Sequence, residues 1–136
     1  MRTRDEGCFD KFDIVVDVGA VYDAEKKRFD HHQASFEESW TNSEDDITKL
    51  SSAGLVFKHY GKEIIANAVK DNWGVTLEGA TLEKVWKKVY NKLILEVDAQ
   101  DCGVSEAPKM KYYIKTHLGA RIDRLNPEWN APKTKT

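Results

Sequence analysis

The sequence predicts an α/β fold, on three observations. A short β-branched run, Phe12 to Val18, is closed by Gly19, and a second extended piece, Arg28 to His32, follows it. Apolar residues at helical spacing then dominate from about residue 48 to residue 101. Strand signals followed by long amphipathic helices describe a sheet flanked by helices, and a continuous apolar run such as Phe12 to Val18 suits a buried, mostly parallel sheet.

Residues 1–11 are polar and read as irregular, the frayed end of a strand. Asp17 falls at the carboxyl end of the first strand, the end that faces the ligand crevice in open α/β sheets. Ala20 to Arg28 reads as a charged turn. In Phe29-Asp30-His31-His32-Gln33, adjacent histidines on an extended segment should point to opposite faces, so that one can bind a metal while the other turns elsewhere. Phe29 is the expected core anchor, with His31 in the crevice and Asp30 orienting an imidazole by accepting its other ring proton.

Ser35 to Asp46 reads as a polar surface loop with one aromatic anchor, Trp40. Thr48-Lys49-Leu50-Ser51-Ser52 carries the hydroxyls of a helix start, where side-chain oxygens accept unpaired amide protons. Ordinary capping accounts for all of these except Lys49, which a phosphate could engage. Leu55, Val56, His59 and Tyr60 follow at helical spacing until Gly61, and Ile64 to Trp73 extends the region to Gly74. Thr81 to about Asp101 is the longest predicted helix, with Leu82, Val85, Trp86, Val89, Tyr90, Leu93, Ile94 and Val97 as its apolar stripe. Asp98 and Asp101 lie at its C-terminal end, where the helix dipole disfavours carboxylates and a cation would compensate them. Asp101, four residues after Val97, continues the buried side, whereas Asp98 points further round. Tyr112 to Arg124 reads as helical or mixed, with Lys115, His117, Arg121 and Arg124. Asn126-Pro127 then marks a turn that Trp129 packs down.

Composition sets limits. Hydrophobic residues make up 40% and charged residues 32% of 136, which fits one ordinary globular domain over 1–136. No apolar run approaches the ~20 residues that cross a bilayer, so a membrane partner is not expected. Cys8 and Cys102 form neither a zinc-finger spacing nor a disulfide framework and read as free thiols in a reducing, intracellular compartment. Net charge is −2, but residues 109–136 alone carry seven Lys/Arg against two acidic residues. A basic end beside an acidic metal centre suits a phosphate substrate, although a solvated basic tail accounts for it equally well.

Five stretches together carry a family resemblance: Asp-Ile-Val-Val-Asp-Val-Gly (13–19), Arg-Phe-Asp-His-His-Gln (28–33), Thr-Lys-Leu-Ser-Ser-Ala-Gly-Leu-Val (48–56), Glu-Val-Asp-Ala-Gln-Asp-Cys-Gly (96–103) and Arg-Leu-Asn-Pro-Glu-Trp-Asn (124–130). In this order they resemble the melanocyte-proliferating-gene (Myg) family of metal-dependent hydrolases and exonucleases, within the DHH phosphoesterase superfamily. The resemblance runs from about Arg2 to Trp129. It implies a DHH-like α/β fold and a phosphodiesterase, most specifically a 3′ to 5′ RNA exonuclease of the nucleus and mitochondrion. It also implies two Mn²⁺ or Mg²⁺ ions, with Asp17 as the bridge, His31 and Asp101 as ligands, Asp98 as neighbour or substitute, and His32 as the phosphate contact or proton donor. Arg121, Arg124 and Lys49 would border an RNA or other phosphodiester substrate.

The family begins with a strand and with Thr-His-Asn-Gly-type and His-Cys-Asp-Glu-type segments that supply further ligands. Nothing like them precedes Arg2, so a truncated domain is expected, lacking that front and the C-terminal half. A sheet edge left open by a missing strand could recruit another chain, which leaves room for a homodimer. A small-molecule phosphohydrolase and a non-catalytic binding module are the rival readings.

Overall fold

The computed structural model describes Thr3 and residues 5–105, 107–109, 111–112 and 114–126. They form a mixed α/β arrangement with a small three-stranded sheet, and the chain divides into two compact units, Met1–Val104 and Ser105–Thr136.

In the first unit, residues expected to be irregular wind into a 3₁₀ turn, Glu6–Lys11, capped by Asp5, whose carboxylate accepts the Gly7 amide proton at 3.0 Å. The strands are shorter than their apolar runs: β1 is Val15–Val16, β2 Tyr22–Asp23 and β3 Arg28–Phe29. Their order is β1-β3-β2. β1 pairs parallel with β3, but β2 pairs antiparallel with β3, so the sheet is mixed rather than mostly parallel. β2 falls inside the stretch read as a charged turn, because a tight reversal through Ala24 to Lys27 (Lys27 φ 54°) folds Tyr22-Asp23 back onto Arg28-Phe29. Its polar, half-buried residues gave no apolar signal.

Phe29 on the central strand is fully buried and anchors the core with Phe36, Leu50, Leu55, Phe57, Ile65 and Tyr90. Burying one such side chain contributes about 1.5–3 kcal/mol. Against this cluster packs α1, Ser52–Trp73, capped by Ser51, whose hydroxyl oxygen accepts the Gly54 amide proton. α1 runs unbroken through Gly61, where the sequence suggested an interruption. A Cβ there would come within 2.8 Å of both Phe57 and the Trp86 indole nitrogen, so Gly61 serves close packing rather than a stop. The helix ends at Gly74, in the left-handed conformation at φ 66°, as its terminal Gly signalled.

The segment read as one long helix comprises α2, Gly79–Val89, a π turn over Tyr90–Ile94, and α3, Leu95–Asp101. The Leu95 amide donates to the Tyr90 carbonyl, an i to i+5 bond that fits one extra residue into the turn. That extra residue shifts the helical phase: Leu93 is exposed and Leu95 joins the core. The same shift reverses the two carboxylates, with Asp98 fully buried and Asp101 half exposed. Trp40, expected as a lone loop anchor, stacks flat on Tyr90 with ring centroids 3.7 Å apart and packs against Trp86. The polar loop beneath it is tied by Asp46, whose carboxylate accepts from the Ser39 hydroxyl and from Thr41.

In the second unit, His117 caps α4, Leu118–Asp123, with its Nδ1 accepting the Ala120 amide proton at 3.2 Å. Pro127 to Asn130, including the expected Trp129 turn, lie outside the described residues. Among the described residues no helix is long and apolar enough to cross a membrane.

Candidate metal centre

Parallel pairing of β1 with β3 brings their carboxyl ends to the same edge of the sheet, so the residues just after Val16 and Phe29 become neighbours. Asp17 leaves β1 in the left-handed conformation at φ 62°, while its amide still donates to the Phe29 carbonyl at 3.0 Å. Aspartate tolerates that conformation better than most residues. Asp30, only 2% exposed, follows Phe29 and gathers the site. Its Oδ2 accepts the Ala20 amide proton at 2.7 Å, and its Oδ1 accepts those of His31 at 2.8 Å and His32 at 3.2 Å.

This wrapping curls the chain out of the strand, with a consequence for the two imidazoles. Rather than facing opposite ways, they pack with centroids 4.4 Å apart. One donor atom each from Asp17, His31 and His32 lies within 4.8 Å of the others. The His31 side chain is mostly buried, with Nδ1 4.0 Å from an Asp17 oxygen and Nε2 3.3 Å from Asp101 Oδ2. Ser52, the first residue of α1, meets the same Nδ1 with its amide at 3.2 Å and its hydroxyl at 3.1 Å. One carboxylate therefore stands on each side of His31, reached from β1 and α3, with the start of α1 behind it.

His32 is the more exposed ring, and its Nδ1 lies 2.5 Å from Asp30 Oδ1. This hydrogen bond raises the His32 pKa above its ordinary value against partial desolvation, helped by the negative charges of Asp30, Asp17 and Asp101. For Asp30, burial alone would push the carboxyl up. The His32 and Ala20 hydrogen bonds prevail and hold it below the usual range. Asp30 thus orients His32 through its side chain and His31 only through the backbone. Beside them a cleft lined by Glu6, Asp17, Gly19, Ala20, Asp30 and His32 opens to solvent.

The donor set of carboxylates and imidazoles fits a hard divalent cation. Other expected residues are placed differently. Asp98, read as neighbour or substitute for Asp101, turns away to the start of α1, where its Oδ1 accepts from the Ser51 hydroxyl at 2.6 Å and the Ser51 amide at 3.0 Å. The π turn is the reason, since it rotates Asp98 into the core. Burial pushes the Asp98 carboxyl up, against its hydrogen bonds from Ser51. The Lys49 ammonium donates to the Phe36 carbonyl and pairs with Glu37, both at 2.8 Å, which neutralises it locally. In the second unit, Arg124 donates to the Lys115 carbonyl and Arg121 is exposed on α4. In the sequence the hydroxyl pair Ser51-Ser52 signals only a helix start; the contact of Ser52 with His31 comes from the tertiary structure.

Fold and site describe a small α/β unit presenting a carboxylate-imidazole centre at the ends of parallel strands. The whole chain, residues 1–136, matches the MYG1 exonuclease family, described as an uncharacterised protein family (UPF0160), and the chain belongs to that family. It is 42% identical to the MYG1 protein of Dictyostelium discoideum over 98% of this chain and 39% of the relative. To the MYG1 exonucleases of Bos taurus and Homo sapiens it is 40% identical over 100% of this chain and 36% of each relative. The chain thus spans less than two fifths of the length of these relatives. No solved structure matches it.

Proposed function

We propose that the protein is a metal-dependent phosphodiesterase of the DHH type, a 3′ to 5′ RNA exonuclease, whose centre is built on Asp17, His31 and Asp101 with His32 as the phosphate contact. The observation that carries this reading is the convergence of Asp17, His31 and His32 within 4.8 Å, with Asp101 on the far side of His31. The names of the mammalian relatives, MYG1 exonuclease, point to a nucleic-acid end as substrate.

Asp17, Asp101 and one His31 nitrogen would hold Mn²⁺ or Mg²⁺. Such a cation, when bound, lowers the pKa of a water and neutralises phosphoryl oxygens. Asp17 supplies an exposed carboxylate, and His31 a nitrogen on a mostly buried side chain. His32 has a different part. Its Nδ1–H donates to Asp30, and the raised pKa favours a second proton on Nε2, which faces a phosphate as a charged donor and can pass that proton to the leaving oxygen. Lys49 is proposed as an outer phosphate contact, released from Glu37 on binding.

Calorimetric titration of the full chain with Mn²⁺, beside the double variant Asp17→Ala, His31→Ala, tests the centre. Saturable binding that the double variant abolishes is the expected result. Equal binding in both, or none in either, refutes the centre. The activity is tested on RNA labelled at its 5′ end, where stepwise shortening from the 3′ end is expected with Mn²⁺ and not with chelator.

A further inference from the structure

His31 can present Nε2 to a cation only if its ring proton sits on Nδ1, because a neutral imidazole has one N–H and one free lone pair. Whatever lies against Nδ1 therefore selects the form of the ring. Here the nearest neighbour is Ser52, with the Asp17 carboxylate farther off at 4.0 Å; Ser52 offers two groups of opposite character at nearly equal distance: an amide N–H at 3.2 Å, which can only donate, and a hydroxyl oxygen at 3.1 Å, which can donate or accept. When Nδ1 is bare, the amide donates to it and Nε2–H faces Asp101 Oδ2, 3.3 Å away. When Nδ1 carries the proton, it donates to Ser52 Oγ, and Nε2 is left with its lone pair toward the same carboxylate. Ser52 is 6% exposed, so water is a poor substitute for either group.

We propose that Ser52 is a positioning residue that lets His31 exchange its ring proton between Nε2 and Nδ1, its hydroxyl oxygen being the acceptor that stabilises the cation-binding form. This rests on the metal-centre reading above. No atoms are gained or lost in the exchange: one N–H bond breaks at Nε2 and one forms at Nδ1, with solvent carrying the proton. Ser52 is itself held in register by its neighbour. Ser51 caps α1, and the fully buried Asp98 grips both the hydroxyl and the amide of Ser51. Asp98 thereby serves the centre from behind, as an anchor of the helix start that carries Ser52.

The test compares the 136-residue chain with its Ser52→Ala and Ser52→Thr variants. Ring-nitrogen NMR of ¹⁵N-histidine-labelled protein reads the His31 tautomer without and with Zn²⁺ as a diamagnetic probe, and calorimetry reads Mn²⁺ affinity. In the unaltered chain the His31 proton should move from Nε2 to Nδ1 as Zn²⁺ is added. Ser52→Ala removes the acceptor within hydrogen-bond distance of Nδ1 and keeps the amide donor, so the tautomer should resist the shift and Mn²⁺ affinity should fall about 10- to 100-fold, the usual cost of losing a partner behind a metal-bound histidine. Ser52→Thr keeps the hydroxyl and should restore both. Affinity and tautomer unchanged in Ser52→Ala, with binding that still depends on His31, overturn the role of Ser52 and leave the centre standing. No binding by the unaltered chain, with no change at His31 on adding Zn²⁺, overturns the centre and this role with it.

Discussion

Gly54→Ala offers a quantitative probe of the seam between α1 and α3. A Cβ at position 54 would fall 2.3 Å from Asp98 Oδ1 and 2.5 Å from Oδ2, closer than real contacts permit. Asp98 is fully buried and bonded to Ser51, so it cannot swing into solvent to make room. Overpacking of this kind costs about 2 kcal/mol. Lengthening one charge-assisted hydrogen bond to Ser51 adds about 1.5 kcal/mol. Replacing a helical glycine by alanine returns about 1 kcal/mol, which leaves a net loss of about 2.5 kcal/mol. Urea unfolding of the two proteins, read at constant m-value, measures the difference. An Asp98→Ala background supplies the decisive comparison, because with the carboxylate gone the Gly54→Ala change should become neutral or stabilising. A Gly54→Ala protein as stable as its parent, or an equal loss in both backgrounds, would refute the packing argument.

Three other outcomes are expected. Phe29→Ala, which empties the centre of the core, should lower unfolding free energy by about 3–5 kcal/mol in the same urea titration. Asp98→Asn should flatten the pH dependence of stability above the ordinary carboxylate range: with its folded pKa raised, Asp98 contributes stability that is complete below its unfolded pKa and lost as pH rises through the folded value, so melting temperatures of the parent should climb on mild acidification while the variant's do not. Asp30 has the opposite sign. Its lowered pKa gives stability that is present above the unfolded value and lost as pH falls through the folded one, so the gain from Asp98 should reverse at lower pH. Finally, Asp17→Gly relieves a left-handed backbone at φ 62° and should be neutral or stabilising by up to about 1 kcal/mol while abolishing Mn²⁺ binding, a separation that calorimetry and thermal melts would show together.

How far the sequence foretells this arrangement depends on whether local signals or long-range packing decide each element. The stop at Gly74, the Phe29 anchor and the Ser51 cap were legible, because glycine conformation, an apolar run and hydroxyl chemistry act within a few residues. Asp17 at a strand's carboxyl end is legible in the sequence, whereas its joining His31 is what the family resemblance implies; the parallel β1–β3 pairing brings the ends of their two strands to one edge. The partners of Asp98 and Asp101 were not legible. Ordinary helical spacing extrapolated from Val97 assigns the buried side to Asp101, and only the π turn, which no propensity marks, reverses them. β2 was missed because Tyr22-Asp23 has no alternation to display; its strand character comes entirely from the partner strand. Gly61 misled in the opposite direction, since a glycine chosen for contact with Phe57 and Trp86 looks in sequence like one chosen to end a helix.

The five-residue turn at Tyr90–Ile94 also separates two tasks within one continuous rod. Upstream of it, α2 answers to the aromatic core through Trp86; downstream, α3 answers to the helix start beside His31 through Asp98. Removing a single residue there, Leu93 for example, would restore an ordinary α turn and rotate everything after it by about 100°. Asp98 would leave its socket and Asp101 its place beside His31, with no side chain of either altered. Spacing in this turn is thus as much a part of the centre as the side chains are, and substitution scans, which preserve length, would not detect it.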